Sequence, residues 1–287
     1  MVIPEYIRPR RVIAVCILLL GVAAGQGLAE DPRTLIFSTY ATERPSEELR
    51  KMEPFRGAVE QGLRKRGQEL RVEVRIFPNY EEGLNAIVEG EVDFSRLGPV
   101  NYVLGKQRNP GLRLVAVEAH SGSKQFSGLI IVAKDSPIHS LADLRGKKMA
   151  FGDPTSTTGR YLAQAELAKN GITAKDLESY EYLGRHDKVV FAVASGAYDA
   201  GATNERTFTK YANQLGLRDL AHFPSPTQAW VARDGLDSKI TETVRATLLS
   251  LQGPALDYID RNGFLLGNDT DYDELRSVMK DVHRFGD

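Results

Sequence analysis

From Thr34 onward, short apolar runs alternate with longer stretches in which apolar residues recur every three or four positions. That order predicts strands followed by amphipathic helices, and so sheets covered by helices on both faces. Thr34 to Thr39 predicts the first strand. Ser46 then predicts a helix cap, with Glu47 and Glu48 in the first turn and Leu49, Met52 and Phe55 as the apolar stripe. Val72 to Phe77 predicts a second strand, stopped by Pro78. Ser127 to Ala133 and Lys147 to Phe151 predict two more, on either side of a short helix capped by Ser140 and ending near Gly146. From Lys239 a helical C-terminal region runs through Leu248, Leu249, Leu251 and Ile259.

Two segments share one pattern. Residues 83–94 read GLNAIVEGEVDF and residues 189–200 read VVFAVASGAYDA: apolar helix positions, a glycine (Gly90 or Gly196), then an aspartate (Asp93 or Asp199) entering a strand. A glycine placed there ends a helix in the left-handed conformation and turns the chain tightly into the strand. Each strand then ends at a predicted loop, Leu97-Gly98-Pro99-Val100-Asn101-Tyr102 in one case and Thr203-Asn204-Glu205 in the other. Ligands of open helix-flanked sheets sit beyond the carboxyl ends of strands, which makes these loops candidate site loops. Repeated units suggest two similar lobes, although helix–glycine–strand turns occur in any α/β protein.

The first thirty residues depart from this alternation. Arg8, Arg10 and Arg11 precede a nearly unbroken apolar run from Val12 to Ala24, and Gly27-Leu28-Ala29 leads into Glu30-Asp31-Pro32. This order reads as a secretory signal cleaved after Ala29. The alternative is a retained anchor, against which the run is shorter than the roughly 20 residues that span a bilayer. The only cysteine, Cys16, lies inside that run, so the mature chain has no thiol for disulfides, thiolate chemistry or cysteine metal sites. With 37 basic against 38 acidic residues the chain lacks the positive excess that nucleic-acid backbones require.

The densest candidate chemistry is residues 151–159, FGDPTSTTG. Thr155, Ser156, Thr157 and Thr158 follow a strand and precede a helix predicted over Arg160 to Asn170, which Gly171 stops. Hydroxyls and unpaired N–H groups converge at such a helix start, where the dipole adds about half a positive charge, so a tetrahedral anion can be held by neutral donors. A plain helix cap would need only one of these hydroxyls, and the local chemistry leaves both readings open. It is not a P-loop, because Arg160 stands where that motif needs lysine. His120, His139, His186, His222 and His283 lack metal-ligand spacing, and no catalytic pair or cofactor motif is present. The paired acids Glu47-Glu48 and Glu81-Glu82 are expected on solvated helix faces.

The whole mature chain resembles the PhnD-like periplasmic binding proteins for phosphonate, phosphite and phosphate. The resemblance is carried by residues 93–102 (DFSRLGPVNY), 127–136 (SGLIIVAKDS), 141–151 (LADLRGKKMAF), 153–159 (DPTSTTG) and 184–199, which contain Arg185-His186-Asp187. It implies an α/β fold of the type II periplasmic-binding kind, two α/β lobes joined by two crossing strands. The signal would be residues 1–29, lobe one residues 30–126 plus 226–287, and lobe two residues 127–225. By the same resemblance Ser156, Thr157 and Thr158, with Gly159, would contact the oxyanion and His186 would donate a further bond. Tyr40 and Tyr102 would close the site from lobe one, Ser127 would lie near the first crossing, and Glu205 would stand in the second cleft loop.

One departure bears on the ligand. Relatives that bind aminoalkylphosphonates resemble one another in an acid before the proline at the second crossing, where this chain reads Pro224-Ser225-Pro226-Thr227, and in a carboxylate of the second cleft loop, where Glu205 stands beside Arg206. An unpaired buried ammonium is costly, which favours phosphite, phosphate or a simple alkylphosphonate. The role implied is a monomeric, periplasmic, non-enzymatic solute-binding protein that serves an ABC permease. The alternatives are a sensor that partners a membrane histidine kinase, and an enzyme on the same scaffold.

Overall fold

The computed structural model describes residues 33–286 apart from 43, 260 and 261, so the leader, Cys16 and the cleavage site after Ala29 lie outside the described residues. In chain order the first lobe begins with β1 (Thr34–Tyr40), α1 (Pro45–Lys65), β2 (Arg71–Phe77), α2 (Tyr80–Val88), β3 (Phe94–Leu97), α3 (Pro99–Arg108) and β4 (Arg113–Glu118). The second lobe holds β5 (Gln125–Ala133), β6 (Lys148–Phe151), α4 (Leu162–Lys169), β7 (Ser179–Tyr182), α5 (His186–Ala194), β8 (Ala200–Asn204), α6 (Glu205–Leu215) and β9 (Leu217–Pro226). The chain then returns through β10 (Ala229–Ala232), α7 (Ser238–Leu249), β11 (Phe264–Leu265) and α8 (Asp273–Asp281).

The sheets run β11-β4-β10-β3-β1-β2 and β7-β6-β8-β5-β9. In each, three strands are parallel and the fourth is antiparallel: β2-β1-β3 with β10 in one, and β7-β6-β8 with β5 in the other. The lobes therefore repeat one topology, and the two sequence units are its equivalent parts. Gly90 and Gly196 sit at φ 79° and 74°, the left-handed turn expected after α2 and α5. The aspartates match as well: Asp93 Oδ2 accepts Ile36 N at 3.0 Å, and Asp199 Oδ2 accepts Lys148 N at 2.8 Å, each capping the edge of the strand beside it.

Alternation along β1 shows why both faces of the sheet are covered. Leu35 and Phe37 face Met52, Phe55, Val59 and Leu63 of α1, and Phe37 stacks on Phe94 at 4.9 Å. α1 begins at Pro45 with Arg44 at the N-cap and no side-chain cap, so Ser46 does not take the capping role expected of it. Proline at the first helical position removes an N–H that would otherwise lack a partner. The crossings are short: Thr227 N bonds Lys124 O at 3.0 Å, and Glu118 N bonds Gln228 O at 3.0 Å, so the two lobe-joining segments lie against each other.

The C-terminal segment differs from the expectation that residues 226–287 all belong to lobe one. Phe285 is fully buried between Phe151 of β6 and Tyr180 of β7, at 5.7 and 5.8 Å, and α8 packs on both α3 and α4. The closing aromatic thus packs into the core of lobe two. None of the helices among the described residues is long and apolar enough to cross a membrane.

Candidate functional site

A cavity of about 760 Å³ lies between the lobes, lined from lobe one by Tyr40, Tyr80, Gly98 and Pro99 and from lobe two by Ser156, Thr157, Thr158 and His186. Both candidate loops turn out to be helix starts. β3 passes through Gly98 directly into α3, and β8 passes through Asn204 directly into α6. The ends of these two strands and the start of α5 all face the space beyond the sheets, so the N-terminal ends of α3, α5 and α6 line one cavity.

The hydroxyl run divides its work. Thr155 turns back, its N and Oγ1 both donating to Asp153 Oδ1 at 2.8 Å. Ser156 is the cap, accepting Gly159 N at 3.0 Å, while Gly152 N bonds Gly159 O at 2.8 Å. A Cβ at Gly159 would stand 2.8 Å from Ser156 Oγ and 3.0 Å from Gly152 Cα, so the turn closes only around glycine. Residues Thr157–Tyr161 then form one π turn that leads into α4, in place of the plain helix start expected at Arg160. The N–H groups of Thr157 and Thr158 lie in this first turn, where no carbonyl of their own helix is in reach. Thr158 is buried, lines the cavity, and its hydroxyl has no protein partner among the described residues.

The lobes meet at this corner. Val100 N, at the start of α3, donates to Thr157 Oγ1 at 2.9 Å, and Asn101 Nδ2 donates to Thr155 O at 3.1 Å. His186 N donates to Thr42 O at 3.2 Å, and its Nδ1 lies 3.4 Å from Thr203 Oγ1 inside lobe two. Tyr40 Oη accepts Gly98 N at 2.5 Å, and Tyr80 stacks on Tyr40 at 4.0 Å. Burial pushes both phenols above their usual range, so each stays protonated and keeps a proton to donate. A Cβ at Gly98 would come within 2.9 Å of Tyr40 Oη, so this strand end is glycine because the tyrosine hydroxyl occupies the side-chain space.

Of the nine residues expected at the site, Tyr40, Ser156, Thr157, Thr158, His186 and Glu205 line the cavity. Tyr102 does not: it points along α3 away from the cleft, donating to Asp269 Oδ1 at 2.6 Å and packing on Tyr272. Its place one turn into a helix, where a loop was expected, accounts for the difference. Ser127 and Gly159 also stay outside the lining: Ser127 N bonds Glu205 Oε2 at 3.2 Å, and the Gly159 amide is held by Ser156. Glu205 sits at the crossing, its Oε2 also 3.5 Å from His120 Nε2.

The sequence reading missed a buried charged wall across the cavity. Arg96 Nε and Nη2 donate to Glu118 Oε1 and Oε2 at 2.5 and 2.9 Å, and Trp230 Nε1 donates to the same Oε1 at 3.0 Å. The guanidinium lies 5.3 Å from the Tyr258 ring centroid. Burial opposes the Arg96 charge, but Glu118 beside it more than offsets this and holds it protonated. Glu48, expected in solvent, is buried and accepts Thr42 N and Oγ1 at 2.9 and 2.8 Å, while its neighbour Glu47 pairs with Lys210 of the other lobe at 3.1 Å. The signal was present: a charged residue inside an apolar strand, Arg96 in FSRL and Glu118 in RLVAVE, needs a buried partner. Among the described residues no group of three histidine, cysteine or carboxylate side chains is gathered to hold a metal ion.

Residues 37–272 match the model of a family described as ABC transporter, phosphonate, periplasmic substrate-binding protein. A probable ABC transporter phosphite binding protein, PhnD1 of Prochlorococcus marinus, is 23% identical over 76% of this chain and 81% of its own length. A phosphate-import protein, PhnD of Mycolicibacterium smegmatis, is 31% identical over 43% of this chain and 41% of its own length. The crystal structure of PhnD1 from Prochlorococcus marinus in complex with methylphosphonate superposes with a TM-score of 0.79 at 20% identity, covering 88% of this chain and all of that one.

Proposed function

Since the chain belongs to the family of phosphonate-type periplasmic substrate-binding proteins of ABC transporters, we propose that it captures a small phosphorus oxyanion and delivers it to an ABC permease. Phosphite, phosphate and simple alkylphosphonates are the ligands that fit this reading. The observation that carries it is the lobe-two corner, where the buried Thr157 and Thr158 place two hydroxyls and two first-turn N–H groups on a cavity between the lobes. The helix dipole lets that corner hold an anion with neutral donors. Tyr40 and His186 supply further donors from opposite lobes, so a ligand there touches both and favours their closure.

The signal sequence read in residues 1–29 supports export to the periplasm with cleavage after Ala29, and the mature chain would act as a monomer. The family role and the lack of a catalytic pair in the sequence support binding without turnover. Names of relatives refer to binding and import, which favours transport over partnership with a sensor kinase.

Calorimetry with phosphite, phosphate, methylphosphonate and sulfate tests the proposal. At least one phosphorus oxyanion should bind at micromolar concentration or tighter, with sulfate at least tenfold weaker. Binding of sulfate alone, or of none of the four, would contradict it.

A further inference from the structure

Away from the threonine corner, the lobes touch again through one short stretch of lobe one. His186 N, in the first turn of α5, donates to Thr42 O at 3.2 Å, and Lys210 of α6 pairs with Glu47 at 3.1 Å. Thr42 belongs to the connection between β1 and α1. The sheet guides that connection as far as Ala41, whose N–H still bonds Phe77 O at 2.9 Å. Thr42 lies beyond the sheet and takes its place from other bonds.

Glu48 supplies them. From the first turn of α1 its carboxylate reaches back six residues, and Oε1 accepts both Thr42 N at 2.9 Å and Thr42 Oγ1 at 2.8 Å. Bonding the amide and the side chain of one residue fixes that residue in place and leaves its carbonyl facing α5. A carboxylate is suited to this position, because the start of α1 carries partial positive charge and the Arg96 guanidinium is near enough for the two charges to favour each other. Glu48 lines the cavity but is only 7% exposed, and its Oε2 is shut off from solvent, so the carboxylate serves the wall and not the ligand.

We propose that Glu48 is a positioning residue for lobe closure: by fixing Thr42 it presets the carbonyl that receives the α5 amide, and so it governs how long the closed cavity retains its ligand. This inference rests on the reading of the cavity as the ligand site, and it adds a residue that acts without touching the ligand. Ligand meets the open form and leaves only after the lobes part, so a contact that belongs to the closed form acts on the off-rate and leaves the on-rate alone. A turn already in place has little backbone freedom to lose on closing. A loose one must be ordered each time, which for a single residue shifts the closing equilibrium by about tenfold.

Rapid filtration of the mature protein with radiolabelled methylphosphonate gives the off-rate and calorimetry the affinity, so the on-rate follows from the two. Glu48→Leu, which fills the space but accepts no bond, should raise the off-rate about tenfold at an unchanged on-rate. Glu48→Gln, which keeps an oxygen for both Thr42 bonds and loses the charge, should retain the wild-type off-rate. Thr42→Val, which loses the hydroxyl bond alone, should fall between the two. An equal rise in Glu48→Gln and Glu48→Leu would mean that the charge itself acts, and a slower on-rate with the off-rate unchanged would place Glu48 at the encounter step; either result overturns the proposal, as does a Glu48→Leu protein with wild-type kinetics. Should Glu48→Leu fail to fold, Thr42→Val decides alone, and a wild-type off-rate there overturns it. Wild-type binding in the same series shows that the cavity functions; if methylphosphonate does not bind the wild-type protein, the cavity reading falls together with this inference.

Discussion

Replacing Thr157 and Thr158 together by valine keeps shape and removes two hydroxyls from the cavity corner. Each charge-assisted hydrogen bond to an anion is worth about 1.5–3 kcal/mol, so the double variant should lose methylphosphonate binding by calorimetry while its circular dichroism spectrum stays unchanged. Unaltered affinity would exclude the corner as the site. Gly98→Ala is a sharper probe, because Gly98 has an ordinary φ of −64° and its added Cβ would meet only the Tyr40 hydroxyl, at 2.9 Å, and Thr157 Oγ1, at 3.7 Å. Ligand affinity should fall at least tenfold with little change in melting temperature. The buried pair behaves differently: Arg96→Met alone strands the Glu118 carboxylate and should cost about 3–5 kcal/mol in urea unfolding. Arg96→Met with Glu118→Leu should restore most of that loss. At this scale the sequence revealed the hydroxyl run but not its division of labour, since only the folded turn sends Thr155 back to Asp153 and Thr158 forward into the cavity.

At the scale of elements, the two helix–glycine–strand units were legible because glycine and aspartate perform one backbone task in each lobe. The left-handed turn ends the helix, and the aspartate caps the neighbouring strand. The helix starts at Pro99 and Glu205 were not legible, because a strand that passes into a helix without an intervening turn leaves no punctuation beyond Gly98 or Asn204. That difference explains Tyr102, which a loop would have left free to face the ligand but which the first turn of α3 directs toward Asp269 and Tyr272. The C-terminal segment was equally hidden, since an amphipathic helix followed by one aromatic does not say which core it completes. Phe285→Ala should cost about 3–5 kcal/mol, as buried phenylalanines do, and should loosen amide-exchange protection in β6 and β7 of lobe two.

For the whole molecule, cross-lobe contacts gather where the ligand is proposed to sit, from Val100 with Thr157 to Glu47 with Lys210. Helix-covered sheets were readable from the alternation of elements, two similar lobes from the repeated units, and the two-lobed fold with its crossing strands from the family resemblance, while the way the lobes meet depends on side chains far apart in the chain. Buried tyrosines at this junction set an alkaline limit. Tyr258 is raised by burial from 10.0 to about 12, and Tyr40 and Tyr80 are raised as well. A folded pKa above the unfolded value means that the folded state holds the proton more tightly. The stabilisation is therefore complete below pH 10 or so and is lost as pH rises toward about 12. Urea midpoints should be steady up to about pH 9 and fall beyond about pH 10, with phenolate absorbance of these rings appearing only as the protein unfolds.

A crystal structure of the mature protein grown with methylphosphonate bears most directly on the central claim. The phosphorus should lie in the corner, its oxygens within hydrogen-bonding distance of Thr157, Thr158, Tyr40 and His186. A phosphonate bound elsewhere, with the first-turn amides of Thr157 and Thr158 facing only water, would contradict the account.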